Sequence, residues 1–175
     1  MAAPAANAAT VDRLDAEHAI LAILLSPDGK KDNGEWRWNA PVEGKTRLVK
    51  ELFLVDREVA PGSSPRFTFE FTPGPYGPSS LALTNTLQRL IGEGKVASRP
   101  FAGGKGAILS VGPAGAQEAK TTWSKLSPAA RSSFYRLKSR VKDMDYRQLL
   151  VYVYRTFPEF TENSLIREEI MGDQP

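Results

Sequence analysis

Residues 67–80 read FTFEFTPGPYGPSS, and the spacing of this stretch limits what can be built around it. Phe67, Phe69 and Phe71 alternate with Thr68 and Glu70, which puts three rings on one face of a strand. Pro73, Gly74, Pro75, Gly77 and Pro78 then forbid regular structure for six residues. Ser79 or Ser80 is placed to cap a helix by accepting from its free N–H groups. That helix carries Leu83, Leu87, Leu90 and Ile91 at i, i+4, i+7 and i+8, an apolar stripe for a core. A strand joined to a helix through a proline-stiffened corner is a scaffold. It holds no nucleophile, metal cluster or acid–base pair.

Upstream, Thr10 is a cap for a first helix with Asp12 in its opening turn. Leu14, the alkyl part of His18, Leu21 and Leu25 form its stripe, and Ser26-Pro27-Asp28-Gly29 stops it. His18 is the only histidine and the chain has no cysteine, so disulfides, thiolate zinc and a histidine metal centre have no ligand set. Residues 28–45 read as a polar loop holding the island Trp36-Arg37-Trp38. Two indoles around a guanidinium can stack on nucleobases or anchor a protein partner; they can equally plug the end of a small core. Thr46 caps a second helix with Leu48, Val49, Leu52, Phe53 and Val55 inward and Lys50, Glu51 and Arg57 facing water. After the 79–92 helix, residues 95–99 and 106–111 read as a hairpin with Gly103 and Gly104 at its tip. The Phe67 strand is expected to join that hairpin in a small three-stranded antiparallel sheet.

Helix, helix, strand, helix and hairpin in that order predict an α+β, winged-helix-like domain over residues 10–112. The departure is the connection from Ala60 to Pro78, far longer than a helix-turn-helix turn. An Ala-rich leader (1–9), read as disordered and not as a signal peptide, precedes the domain. A flexible link (113–119) and a helical extension with an acidic tail (120–175) follow. Ser127-Pro128 starts one helix of the extension, with Phe134, Leu137, Val141 and Met144 inward. Asp145 starts the next, burying Leu149, Leu150, Val153 and Phe157.

Charge is unevenly spread. Residues 1–119 hold 13 basic and 13 acidic side chains, residues 120–142 seven basic and none acidic, and residues 143–175 three basic and seven acidic. At about 100° per residue, Lys138 and Lys142 fall within roughly 20° of Arg131, while Arg136 and Arg140 share another side. Such a cluster is the footprint of a polyanion.

Three passages resemble a known family: Lys45-Thr46-Arg47-Leu48 with Lys50, Phe53 and Leu54; Phe69-Glu70-Phe71 leading into Tyr76-Gly77-Pro78-Ser79; and Val153-Tyr154 followed by Phe157-Pro158-Glu159-Phe160-Thr161 and Asn163-Ser164. In order and spacing they are similar to the YwgA-like proteins and, more distantly, to the SocA-like or Panacea domain of prokaryotic antitoxins and phage-associated proteins. Over residues 10–165 the resemblance implies a small α+β module that is not an enzyme, found beside toxin–antitoxin and defence functions. Gly74-Pro75 departs from the family pattern before the tyrosine, and the basic segment maps to no family motif.

Catalytic residues are not expected. Tyr76 lacks a base, Asp56 and Glu58 stand at i, i+2 on a helix, and Gly103-Gly104-Lys105-Gly106 opens a strand where a phosphate cradle opens a helix. No cofactor or metal is implied. The expected function is binding: nucleic acid, duplex DNA first, through Arg131, Arg136, Lys138, Arg140 and Lys142 on the basic helix. Thr84, Asn85, Gln88 and Arg89 on the 79–92 helix would read bases, and Arg99 and Lys105 would sit on the hairpin as a wing. The alternative is a protein adaptor or antitoxin-like neutraliser docking through Trp36, Arg37, Trp38 and Tyr76. A homodimer fits either reading. The absence of cysteine and of any long apolar run points to the cytoplasm, with no membrane role.

Overall fold

A computed structural model describes residues 13–172 of the chain. The leader, the Thr10 cap and Asp12 lie outside these residues. In chain order come β1 (Arg13–Leu14), α1 (Ala16–Leu25), the hairpin β2 (Lys31–Asp32) and β3 (Glu35–Trp36), β4 (Val42–Glu43) and α2 (Lys45–Glu58). Next are β5 (Arg66–Phe67), the hairpin β6 (Thr72–Gly74) and β7 (Gly77–Ser79), α3 (Leu81–Gly92), and the hairpin β8 (Val96–Pro100) and β9 (Ala107–Val111). A 3-10 turn at Pro113–Gly115 leads to α4 (Ala116–Lys125), α5 (Pro128–Val141) and α6 (Tyr146–Thr156). The chain closes with a second 3-10 turn at Pro158–Thr161 and α7 (Arg167–Met171). The architecture is α+β.

α1 is the axle. Asp15 caps it, accepting from the His18 N–H at 2.9 Å, and every residue from Ala19 to Leu25 is buried. A helix apolar on all sides has to be surrounded, and α2, α3, α4, α5 and β9 pack around it. Phe53 of α2 is the hub of a second cluster. Phe71, Phe157 and Phe160 meet it edge-on with ring centroids 5.3, 5.0 and 4.8 Å away.

The three-stranded sheet exists, with a different third strand. Its order is β4–β9–β8, all antiparallel, with Val42 opposite Leu109 and Ser98 opposite Leu109 on the other side. Phe67 instead pairs in parallel with Leu14 in a two-residue ladder. Beyond it the chain bends, and its rings are held by one another: Phe67 stacks on Phe69 at 5.0 Å and Phe69 meets Phe71 at 5.6 Å. The proline corner is itself regular. Pro73 faces Pro78 across the β6–β7 hairpin, so neither missing N–H is needed; the flanking pairs Thr72–Ser79 and Gly74–Gly77 carry the ladder.

Other boundaries shift for local reasons. Gly44, not Thr46, caps α2, and Lys50 and Glu51 are buried at 2 % exposure instead of facing water. The stretch read as a flexible link is helical, and Ala119 packs fully buried against α1. Gly112 and Gly115 belong there for close packing: a Cβ on either would collide with the backbone at Gly94 and Lys95. The tail joins the core through Phe160 and Ile170, both buried.

Candidate functional site

Ser80 caps α3 by accepting from the Leu83 N–H at 3.3 Å, and Leu83, Leu87 and Leu90 turn inward. Thr84, Asn85, Gln88 and Arg89 are therefore exposed on the outer face, as the spacing predicts. The Thr84 hydroxyl donates back to the Ser80 carbonyl at 3.1 Å, whereas the Asn85 and Gln88 amides have no partner among the described residues. Arg89 is not free. It donates to Glu17 at 2.7 Å and to Glu93 at 3.0 Å, and Lys95 bridges Glu17 and Glu118 at 2.9 and 2.8 Å. Partial burial works to raise the Glu17 carboxyl, but hydrogen bonds from Arg89 and Lys95 win and hold it down at about 2. Arg89 therefore fastens α3 to α1, and Lys95, just before β8, ties that strand to α1 and α4.

One cleft adjoins this face, and a second meets it at Lys45 and Thr46, the first turn of α2. One, of about 400 Å³, also carries Lys50, Tyr76, Thr84 and Gln88. The other, of about 680 Å³, runs to Phe101 and Gly106 at the β8–β9 tip and includes Glu43, Asp145 and Tyr146. Tyr76 stands at the end of the β6–β7 hairpin, half exposed. Arg99 and Lys105 are exposed and, like Lys45, have no ion pair among the described residues. Lys50 has one acceptor among the described residues, the Pro78 carbonyl at 2.6 Å; burial pushes its ammonium down to about 7.

The basic helix does not form an outward cationic ridge. Lys138 is buried and donates to the Ile23, Leu24 and Ser26 carbonyls at 2.9, 2.8 and 2.8 Å, closing the C-terminal end of α1. Burial lowers its ammonium to about 8 against the pull of Glu51 and Asp28. Arg131 donates to the Trp123 and Ser124 carbonyls at 3.0 and 2.8 Å, holding the end of α4. Arg140 pairs with Glu58 and lies over the Tyr152 ring. Arg136 remains exposed and Lys142 half-buried beside Gly29. The charge is thus partly consumed inside the fold by backbone carbonyls and by Glu58.

The tryptophan island is half plug and half surface. Arg37 is committed to Asp28, donating through Nε at 3.0 Å. Trp36 meets Tyr135 edge-on at 5.9 Å and Trp38 meets Trp123 at 5.7 Å, yet the indoles stay 45 and 48 % exposed. Arg37 holds the loop, so of the four residues expected to anchor a partner the two indoles and Tyr76 remain exposed for it.

Lys45 and Lys50 are the residues that sequence reasoning passed over as site members. The signal for Lys50 was present: it lies three and four residues before Phe53 and Leu54, on the buried side of α2. Among the described residues no helix is long and apolar enough to cross a membrane. Comparison of the chain with protein-family models, curated proteins and solved structures finds no match.

Proposed function

We propose that the chain is a nucleic-acid-binding regulatory module of a prokaryotic regulatory or defence system, cytoplasmic, acting by binding without catalysis. The resemblance to the YwgA-like and SocA-like proteins implies that setting. In this reading the α1–β4–α2–α3–β8–β9 order, with its β4–β9–β8 sheet, is a winged helix with the β5–β7 segment inserted before α3. α3 takes the place of the groove-reading helix and residues 101–106 that of the wing. The supporting observation is continuity: the polar face of α3 and the hairpin tip flank one surface, joined at Lys45 and Thr46. Asn85 and Gln88 bring amides that suit adenine edges, and Lys45, Arg99 and Lys105 bring charges for phosphates.

The test is fluorescence anisotropy with a labelled DNA duplex between about 50 and 200 mM salt. Three phosphate contacts give a slope of about −3 in log K against log salt. Replacing Lys45, Arg99 and Lys105 together by Ala should flatten it, while replacing Lys120, Lys125 and Arg136 should not. Affinity indifferent to salt, or lost only with the second trio, refutes the reading.

A protein partner is the second reading, favoured by the 51, 76 and 77 % exposure of Tyr76, Leu81 and Leu165. The Leu165 N–H donates to the Pro75 carbonyl at 2.8 Å, which sets Leu165 beside Tyr76 as a ready apolar anchor. A stoichiometric protein partner co-purified without nucleic acid from the native host would favour it.

A further inference from the structure

The cleft of about 400 Å³ between α2, the β6–β7 hairpin and α3 has two lysines and no carboxylate in its lining. Its neighbours differ: Glu43 and Asp145 line one, Asp28 and Glu51 another. Lys50 is the unusual member. Its ammonium has three donors, and the Pro78 carbonyl at 2.6 Å accepts one of them. No carboxylate pairs with it among the described residues, and burial alone accounts for its lowered basicity. Lys138, equally buried, has three carbonyl acceptors at 2.8–2.9 Å. A buried ammonium with two donors unmatched among the described residues stands at the side of a cleft, and the cleft is the side from which an acceptor can come. Lys45 and the first turn of α2 add positive potential at the rim. Aliphatic side chains of α2 and α3 supply the apolar wall, and the volume suits a small molecule.

We propose that this cleft binds a small organic anion, a carboxylate or phosphate head on an apolar body. Lys50 and Lys45 hold the head, and the Thr84 hydroxyl and Gln88 amide complete its hydrogen bonds. Resting on the nucleic-acid reading, the anion is also an effector, because Thr84 and Gln88 belong both to the cleft and to the outward face of α3.

The experiment is an amide-resolved NMR titration of the full chain at about pH 7, with benzoate and phenyl phosphate as separate probes. Saturable shifts at residues 45–50 and 84–88 are expected, and the tighter probe identifies the head. Lys50→Met should weaken binding about tenfold or more, the loss of one charge-assisted contact. Lys30→Met, on the exposed β2 loop, should leave it unchanged. Because Lys50→Met alters the interior, Lys45→Ala and Gln88→Ala on the rim serve as a second set, each weakening binding in a chain with a native spectrum. No saturable shift with either probe, or an affinity unchanged from the parent chain in both the Lys50 and the rim variants, overturns the site. Repeating the titration with duplex DNA separates the two claims. Anion binding without a change in DNA affinity removes the effector role; anion binding by a chain that binds no DNA removes the nucleic-acid reading and leaves the cleft.

Discussion

Replacing Lys50 and Lys138 in turn by methionine compares a buried ammonium with one acceptor among the described residues with one that has three. Methionine keeps the length of the side chain and removes the charge. Lys138→Met leaves the Ile23, Leu24 and Ser26 carbonyls without their donor at the end of α1. At about 1 kcal/mol or more for each buried acceptor, plus the lost charge–dipole attraction, the loss is about 3–5 kcal/mol; removing an ammonium pushed from 10.5 to about 8 returns about 3 kcal/mol, so the net cost is about 0–2 kcal/mol. Lys50→Met strips one carbonyl, Pro78, at about 1–2 kcal/mol. Against that, a lysine whose ordinary value of 10.5 is pushed to about 7 carries a penalty of about 4 kcal/mol at neutral pH, which methionine removes. The net effect is a stabilisation of about 2 kcal/mol.

The sign with pH follows from the same shift. Between about pH 7 and 10.5 the unfolded chain keeps the Lys50 proton while the folded chain has released it, so stability rises with pH through that window. The penalty is complete below about pH 7 and is relieved above it. The advantage of Lys50→Met over the parent chain should therefore shrink by about 3 kcal/mol between pH 6 and pH 9. Urea unfolding followed by tryptophan fluorescence at those two pH values measures both quantities, and the difference between the chains cancels every other titrating group. A Lys50→Met chain less stable than the parent, with a gap that does not move with pH, would mean that Lys50 is held as a cation, and the reasoning fails.

Glu17→Gln should cost about 1–2 kcal/mol at pH 7, discounted for the exposure of Arg89, and nothing near pH 2. A carboxyl held below its ordinary 4.5 gives stability that is present above that value and lost as the pH falls toward about 2, which acid titration of both chains reads directly. Gly77→Ala should destabilise by about 2–3 kcal/mol in thermal unfolding, because φ is +83° and a Cβ would lie 2.7 Å from the Tyr154 ring. Gly115→Ala should cost about 2 kcal/mol or more by the same measurement, since its Cβ would lie 2.9 Å from the Lys95 Cα; a neutral result there would restore the flexible link.

Helices were legible wherever a cap and a 3.6-residue stripe acted within one window. Ser127 with Pro128 starts α5, and Asp145 starts α6 with a capping box that also uses Gln148. The β8–β9 hairpin was legible through its glycine tip. Pairings between two-residue segments were not: nothing local to Val42–Glu43 says that it lies against Leu109 and Ile108, and the same holds for Arg13–Leu14 and β5. The face presented by α3 was legible because its leucines decide it, but the capture of Arg89 depends on Glu17, 72 residues away.

The charged interior failed for a different physical reason. Lys138 lies four residues after Phe134 and three before Val141, both buried, so periodicity alone puts it on the apolar strip of α5. It reads as exposed only because burying a lysine is costly without acceptors, and its acceptors are more than 110 positions earlier. They are backbone carbonyls, which bear no formal charge. Arg131 is held in the same way by the end of α4. A net-charge count therefore scores both side chains as uncompensated when helix ends have already compensated them. Seven basic residues in a row of 23 become evidence for a polyanion partner only after the helix termini within reach have taken their share. Here the termini of α1 and α4 take two and Glu58 a third; Lys120, Lys125, Arg136 and Lys142 keep their charges among the described residues, as do Lys45, Arg99 and Lys105, and it is the last three that stand beside the α3 face and the hairpin tip.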